Sequence, residues 1–256
     1  MKIPIVMAAF GTTSKAMETY SFINESVGKH FPDHEILWSY SSRMVKDRIK
    51  KEKNIDLKHP HQVLSELKEK GYPWAVVQSM HLISGHEFYR LVEEAEQCSI
   101  RTAMGLPLLY SPEDYQAVMK DLWSSFPQNS GEAIVVVGHG TDHASWSSYL
   151  AFHHMFQEKY GPGIYMGMVE EGTPSMEAIV ASVKKSGFKK VHMVPFMLVA
   201  GVHFQEDLTG EEDSWKTAFE QENIAVSALK EGLGLRPGII DIFCKHIQDA
   251  LDVIPG

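Results

Sequence analysis

Thirteen histidines and two cysteines in 256 residues mean that any metal or proton chemistry here falls to imidazole and carboxylate rather than thiolate. His139 stands out by its setting. It lies in Gly138-His139-Gly140-Thr141, directly after an apolar run, and its two glycine neighbours give the backbone freedom to turn a side chain into a cleft. His203 follows a second apolar run, and Glu170 and Glu171 follow a third. Glu87 occupies the corresponding place earlier in the chain. Neutral imidazole with carboxylate suits a borderline divalent cation such as cobalt, iron, nickel or zinc, and the lack of thiolate argues against a closed structural zinc site. Histidine is also the side chain that takes up protons near neutrality. The other histidines are less telling. His139 and His143 have i, i+4 spacing, but Thr141-Asp142 between them reads as a turn. His153 and His154 are adjacent on a helix pattern and point apart. His30, His34, His59 and His61 sit in polar surroundings and are read as solvated, while His81 and His86 straddle Gly85 and could line a cleft.

These residues need elements to hold them. Short apolar runs rich in Val, Ile and Met predict strands at 3–10, 35–41, 74–80, 101–107, 133–138, 164–169, 190–198 and 224–229. Helical patterns fall near 14–30, 60–71, 86–98, 112–125, 144–160, 173–187, 211–222 and 238–252. Continuous apolar strands alternating with helices indicate parallel sheets covered on both faces. The polar, breaker-rich stretch 127–132 is the expected linker, giving an N-terminal α/β half at 1–127 and a C-terminal half at 132–237. The halves repeat in order: Val6–Thr12 resembles Val135–Thr141, and Met80–Phe88 resembles Phe196–Phe204. The repeat pairs Phe10 with His139 and Glu87 with His203. The expected fold is therefore α/β, two similar halves with a small parallel sheet flanked by helices in each, and an active-site cleft between them. In such sheets ligands sit outside the carboxyl ends of the strands, where these residues fall.

Composition removes several functions. The 44% hydrophobic and 22% charged content is that of a folded globular chain, not a disordered one. A net charge of −9 leaves no general footprint for nucleic acid. No stretch reaches the roughly 18 apolar residues of a membrane span, and the first apolar run leads into a helix pattern, so a buried strand and a cytoplasmic location are expected. No Gly-x-x-x-x-Gly-Lys-Ser/Thr loop, Gly-x-Gly-x-x-Gly fingerprint or Gly-x-Ser-x-Gly elbow is present, and no nucleotide is expected. Cys98 and Cys244 read as small buried residues, and Trp146 and Trp215 as buried packing residues, with capping of a cleft the alternative for both tryptophans.

The chain as a whole resembles the anaerobic-pathway sirohydrochlorin cobaltochelatases, the single-subunit, ATP-independent tetrapyrrole chelatases. The resemblance rests on Ser39–Met44, Val77–Glu87, Gly105–Leu109, Gly138-His139-Gly140, Pro195–His203 and Asp213–Lys216 taken together. It implies a lyase that inserts Co2+ into sirohydrochlorin with release of two protons, in cobalamin biosynthesis. It also implies that 238–252 packs back on the first half. His139, His203 and Glu170 match the metal-binding residues, His139 matches the catalytic base, and Glu87 matches a further catalytic carboxylate; Glu171 competes with Glu170 for the ligand role. Phe10, Arg43, His81, His86 and Arg90 are the candidates for holding the tetrapyrrole. The substrate carries eight carboxylates, so local cations must act against the net charge; Arg43, Lys46, Arg48 and Arg90 are candidate clamps, with 46–51 alternatively a solvated basic helix face. Fe2+ or Ni2+ as the inserted metal, a metal- or haem-binding carrier without turnover, and a metal-dependent hydrolase are the rival readings. The residues leave a homo-oligomer open.

Overall fold

The computed structural model describes residues 2–11, 17–42, 50–51, 57–126, 131–170, 172–201 and 204–255. Among these the eight expected strands are all present, each within a few residues of its predicted bounds: β1 (Ile5–Ala9), β2 (Ile36–Tyr40), β3 (Trp74–Ser79), β4 (Arg101–Gly105), β5 (Ala133–Gly138), β6 (Ile164–Met168), β7 (Lys190–Phe196) and β8 (Ala225–Ala228). The intervening helices are α1 (Met17–His30), α2 (Pro60–Glu69), α3 (His86–Glu96), α4 (Pro112–Trp123), α5 (Ser147–Tyr160), α6 (Met176–Lys185), α7 (Trp215–Gln221) and α8 (Pro237–Asp252). Local chemistry sets several starts. Asp114 accepts from the Ser111 N–H while Ser111 accepts from the Asp114 N–H, which opens α4. Helix α6 starts three residues later than the expected 173, because Ser175 caps it by accepting from the Ala178 N–H.

The strands form two separate parallel sheets with orders β2-β1-β3-β4 and β6-β5-β7-β8. Each order reverses direction between its first and third strands in sequence, so the crevice expected of an open parallel sheet lies at the carboxyl ends of β1 and β3, and of β5 and β7. The halves are similar down to single hydrogen bonds. Beyond β1, Ala9 and Phe10 accept from the N–H groups of Ser41 and Ser42; beyond β5, Gly138 and His139 accept from Val169 and Glu170. Beyond β3, His81 and Leu82 accept from Leu108 and Leu109; beyond β7, Met197 and Leu198 accept from Leu233 and Gly234. Phe10 and His139 thus occupy equivalent places, as the sequence repeat implied.

The chain divides into two compact units, Met1–Asp114 with Pro237–Gly256, and Tyr115–Arg236. In the first, one face of the sheet buries Val6, Ala8, Ala75 and Val77 against Val63, Leu64 and Leu67 of α2 and Leu91 and Ala95 of α3. Helix α8 packs on β3, β4 and α1, with Ile239, Ile240, Phe243 and Ile247 buried. In the second, Val135, Val137, Val191 and Met193 pack with Ile179, Val180 and Val183 of α6 and with Trp215 and Phe219 of α7. Its other side carries an aromatic layer in which Phe152 of α5 meets Phe156 and Phe196.

Candidate functional site

In the second unit, His139 and Glu170 come together because β5 and β6 are neighbours in register Gly138↔Met168 and their backbones stay paired past the strand ends. The imidazole Nε2 lies 3.6 Å from Glu170 Oε1, and the two side chains are 47% and 51% exposed, so both can receive a ligand from solvent. His139 Nδ1 faces the Gly140 carbonyl at 3.4 Å. A carbonyl only accepts, so Nδ1 carries a proton, and Nε2 is the ring atom turned toward Glu170. The turn itself is built: Gly140 takes φ +97°, open to glycine at no steric cost. The buried Tyr149 hydroxyl is hydrogen-bonded to the Gly140 backbone, and burial pushes that phenol up to about 12. The same device sits under Phe10, where Gly11 takes φ +104° and its backbone meets the Tyr20 hydroxyl, a phenol also raised by burial.

His143 is not equivalent to His139. Its Nδ1 accepts from the Ser145 N–H at 3.1 Å, capping a short 3-10 turn over Ala144–Trp146. Several other histidines are likewise held by local partners: His153 by the Ile164 carbonyl, His192 by Ser227 and His61 by Glu94. His34 departs from the solvated reading, since its Nδ1 meets the Ile3 carbonyl at 2.7 Å and ties the start of β1 to the α1–β2 connection. Trp146 is exposed and Trp215 is buried in the core.

In the first unit, Glu87 lies in the first turn of α3 and its carboxylate is held at both oxygens. The Ser41 hydroxyl donates to Oε2 at 3.1 Å and the Arg90 guanidinium to Oε1 at 2.8 Å. His86 is exposed at the start of the same helix, and Phe10 is 48% exposed after β1. His81 follows β3. Its backbone N–H donates to Ser79 Oγ at 3.3 Å, so the serine proton is directed to His81 Nδ1 at 2.9 Å. The Nε2 atom is shielded from solvent and has no hydrogen-bond partner among the described residues, and burial pulls the ring down to about 4. His81 is therefore neutral near pH 7, a donor rather than a base.

His203, Arg43, Glu171, Lys46 and Arg48, and residues 127–130 of the expected linker, lie outside the described residues. Among the described residues no three His, Cys, Asp or Glu side chains gather as a metal set, and His139–Glu170 stands as a pair. No described helix is long and apolar enough to cross a membrane. Sequence reasoning missed Ser41 and Tyr149. Ser41 lay within the Ser39–Met44 motif but carried no role there, whereas Tyr149 had a signal of its own: tyrosine follows the turn glycine by nine positions in both halves, at Gly11 and Tyr20 and at Gly140 and Tyr149.

Two parallel sheets of order 2-1-3-4, with histidine and carboxylate at strand carboxyl ends, define an α/β protein of two similar halves. The model of the family Cobalt chelatase (CbiK) matches residues 4–252, and the chain belongs to that family. It is 30% identical to the sirohydrochlorin cobaltochelatase of Salmonella typhimurium, over 99% of this chain and 98% of the relative. It is 28% identical to the sirohydrochlorin cobaltochelatase CbiKC of Nitratidesulfovibrio vulgaris, over 98% of this chain and 91% of the relative. Among solved structures, SirB from Bacillus subtilis with Fe3+ superposes with a TM-score of 0.67 at 16% identity, covering 98% of this chain and 96% of SirB. SirB from the subspecies spizizenii, a sirohydrochlorin chelatase in complex with cobalt, gives 0.63 at 14% identity over the same shares. These two likenesses are of fold.

Proposed function

We propose that this chain is a sirohydrochlorin cobaltochelatase, a lyase that exchanges the two pyrrole N–H protons of sirohydrochlorin for Co2+ in cobalamin biosynthesis. The observation that carries the reading is the exposed His139–Glu170 pair at the carboxyl ends of β5 and β6, in a chain of the cobalt chelatase family. Nitrogen and carboxylate oxygen hold a borderline divalent ion without the grip of thiolate, as suits a metal that must be given up. His139, Glu170 and His203 hold Co2+ with positions open to the incoming ring. As the macrocycle nitrogens replace them, His139 is freed and its Nε2 takes a pyrrole proton directly or through one water. Glu87 takes the second. Positioning supplies the rest: Phe10 offers an apolar face to the flat ring, while Arg43, His81, His86 and Arg90 serve its carboxylates. Arg90 does so with a guanidinium already shared with Glu87. Supporting His81 as a donor is its neutral ring, which keeps a proton on Nε2 for an acceptor.

The test is anaerobic incubation of the purified protein with sirohydrochlorin and Co2+, following the absorption of the macrocycle. A metal-dependent rate well above the protein-free control is expected, and its absence sinks the reading. A carrier would hold its cargo through dilution and show no turnover. Parallel runs with Fe2+ and Ni2+ rank the metals, with Co2+ expected to give the highest rate.

A further inference from the structure

The Glu87 carboxylate is fixed from two directions, and the two anchors differ in kind. Arg90 is one turn further along α3, so its contact at 2.8 Å travels with the helix and says nothing about where the carboxylate points relative to the sheet. Ser41 belongs to the sheet. It follows β2, and its N–H donates to the Ala9 carbonyl at 3.0 Å, which continues the β1–β2 pairing by one residue. Side chains alternate along a strand, and Leu37 faces the core shared with α2 and α3, so Ser39 and Ser41 face the same side. The Ser41 hydroxyl then meets Glu87 Oε2 at 3.1 Å. Strand order β2-β1-β3 puts β1 between the strand that leads to Ser41 and the strand that precedes α3, so this bond ties elements that are not neighbours in the sheet.

We propose that Ser41 is a positioning residue, whose hydroxyl sets the direction in which Glu87 presents its carboxylate to the reacting ring. The inference deepens the chelatase reading and rests on it, since Glu87 takes a proton only if that reaction occurs. A serine that merely tied α3 to β2 would affect folding and leave the balance of kcat and KM alone.

The experiment measures initial insertion rates at saturating Co2+ and sirohydrochlorin for the wild type, Ser41→Ala, Ser41→Cys, Ser41→Thr, Glu87→Gln and the Ser41→Ala/Glu87→Gln double variant. Ser41→Ala and Ser41→Cys should lower kcat about tenfold, the scale of one hydrogen bond to a charged group, with both KM values within about twofold of wild type. Ser41→Thr keeps the hydroxyl and should recover most of the rate. In the Glu87→Gln background Ser41→Ala should cost nothing further, because the two act as one unit. The inference is overturned if Ser41→Ala keeps kcat within twofold of wild type, if threonine fails to rescue, or if the alanine change slows Glu87→Gln by the same factor. Should the alanine variant fail to fold, the threonine–cysteine comparison decides alone. A wild type without turnover removes the chelatase reading and this inference with it, whereas an active wild type with an indifferent Ser41→Ala removes only the inference.

Discussion

One imidazole cannot hold a metal and take a proton from the same nitrogen at the same moment. At His139 the Gly140 carbonyl occupies the Nδ1 side, so in the proposed mechanism ligation and proton uptake both fall to Nε2 and must follow one another. Replacing His139 by Ala should therefore remove two roles together, lowering the insertion rate by about 10²–10⁴-fold. The side chain is exposed, so stability should stay within about 0.5 kcal/mol, read by thermal melting beside the rate assay. Glu170→Gln and Glu171→Gln, compared by Co2+ titration, separate the two neighbouring carboxylates. Glu170→Gln is expected to weaken binding at least about tenfold, and a larger loss from Glu171→Gln would reassign the ligand. His81 makes a different prediction, about pH. Its folded value of about 4 lies below the ordinary imidazole value of 6.5. Between these limits the unfolded chain binds a proton that the folded chain refuses. The contribution of His81 is thus complete above pH 6.5, declines as pH falls, and stops declining below about pH 4. The loss is on the order of 3 kcal/mol. Urea unfolding of wild type and His81→Leu across pH 4–7 should show a shallower acid limb in the variant.

The elements show why some of this was legible and some was not. The central strands read well because β1, β5 and β6 are buried at every position and so are almost wholly apolar, as with Ile5-Val6-Met7-Ala8-Ala9. His139 was visible because glycine flanks it, and Glu170 because it follows the neighbouring strand. What a linear chain hides is contact between distant positions. Ser41 and Glu87 are 46 residues apart, and nothing in their spacing brings β2 and α3 together. Gln78 and Gly105 pair across β3 and β4, and a Cβ on Gly105 would sit 1.9 Å from Gln78 Oε1, so that glycine is kept for room that only the register reveals. Another hidden contact joins α8 to α4: His246 Nε2 lies 3.2 Å from Asp114 Oδ1, both residues are buried, and His246 Nδ1 meets the Leu106 carbonyl at 3.0 Å. One histidine on the last helix thereby joins the start of α4 to the end of β4. Removing it leaves a buried carboxylate short of its partner, so His246→Ala should cost about 3–5 kcal/mol in urea unfolding, whereas an exposed ion pair of similar geometry costs about 1 or less. A loss under 1 kcal/mol would mean that water or a neighbour replaces the imidazole.

For the whole molecule, the net charge of −9 sets the two proposed substrates against each other. Sirohydrochlorin carries eight carboxylates and is repelled at long range, while Co2+ is attracted. Of the candidate clamps, Arg90 is paired with Glu87, so it adds little positive field beyond its own contact. Salt discriminates between long-range field and local contact, because the screening length shrinks from about 30 Å at 0.01 M to about 8 Å at 0.15 M ionic strength. Over that range kcat/KM for sirohydrochlorin should rise as repulsion is screened, while the apparent affinity for Co2+ should fall. The opposite signs matter more than either size, since a general salt effect on the fold would move both together. A fall in kcat/KM for sirohydrochlorin over the same range would mean that local cations dominate its capture. That result would point to the basic side chains of segment 43–51 as the clamp, to be checked by Arg43→Ala, which should then flatten the salt dependence.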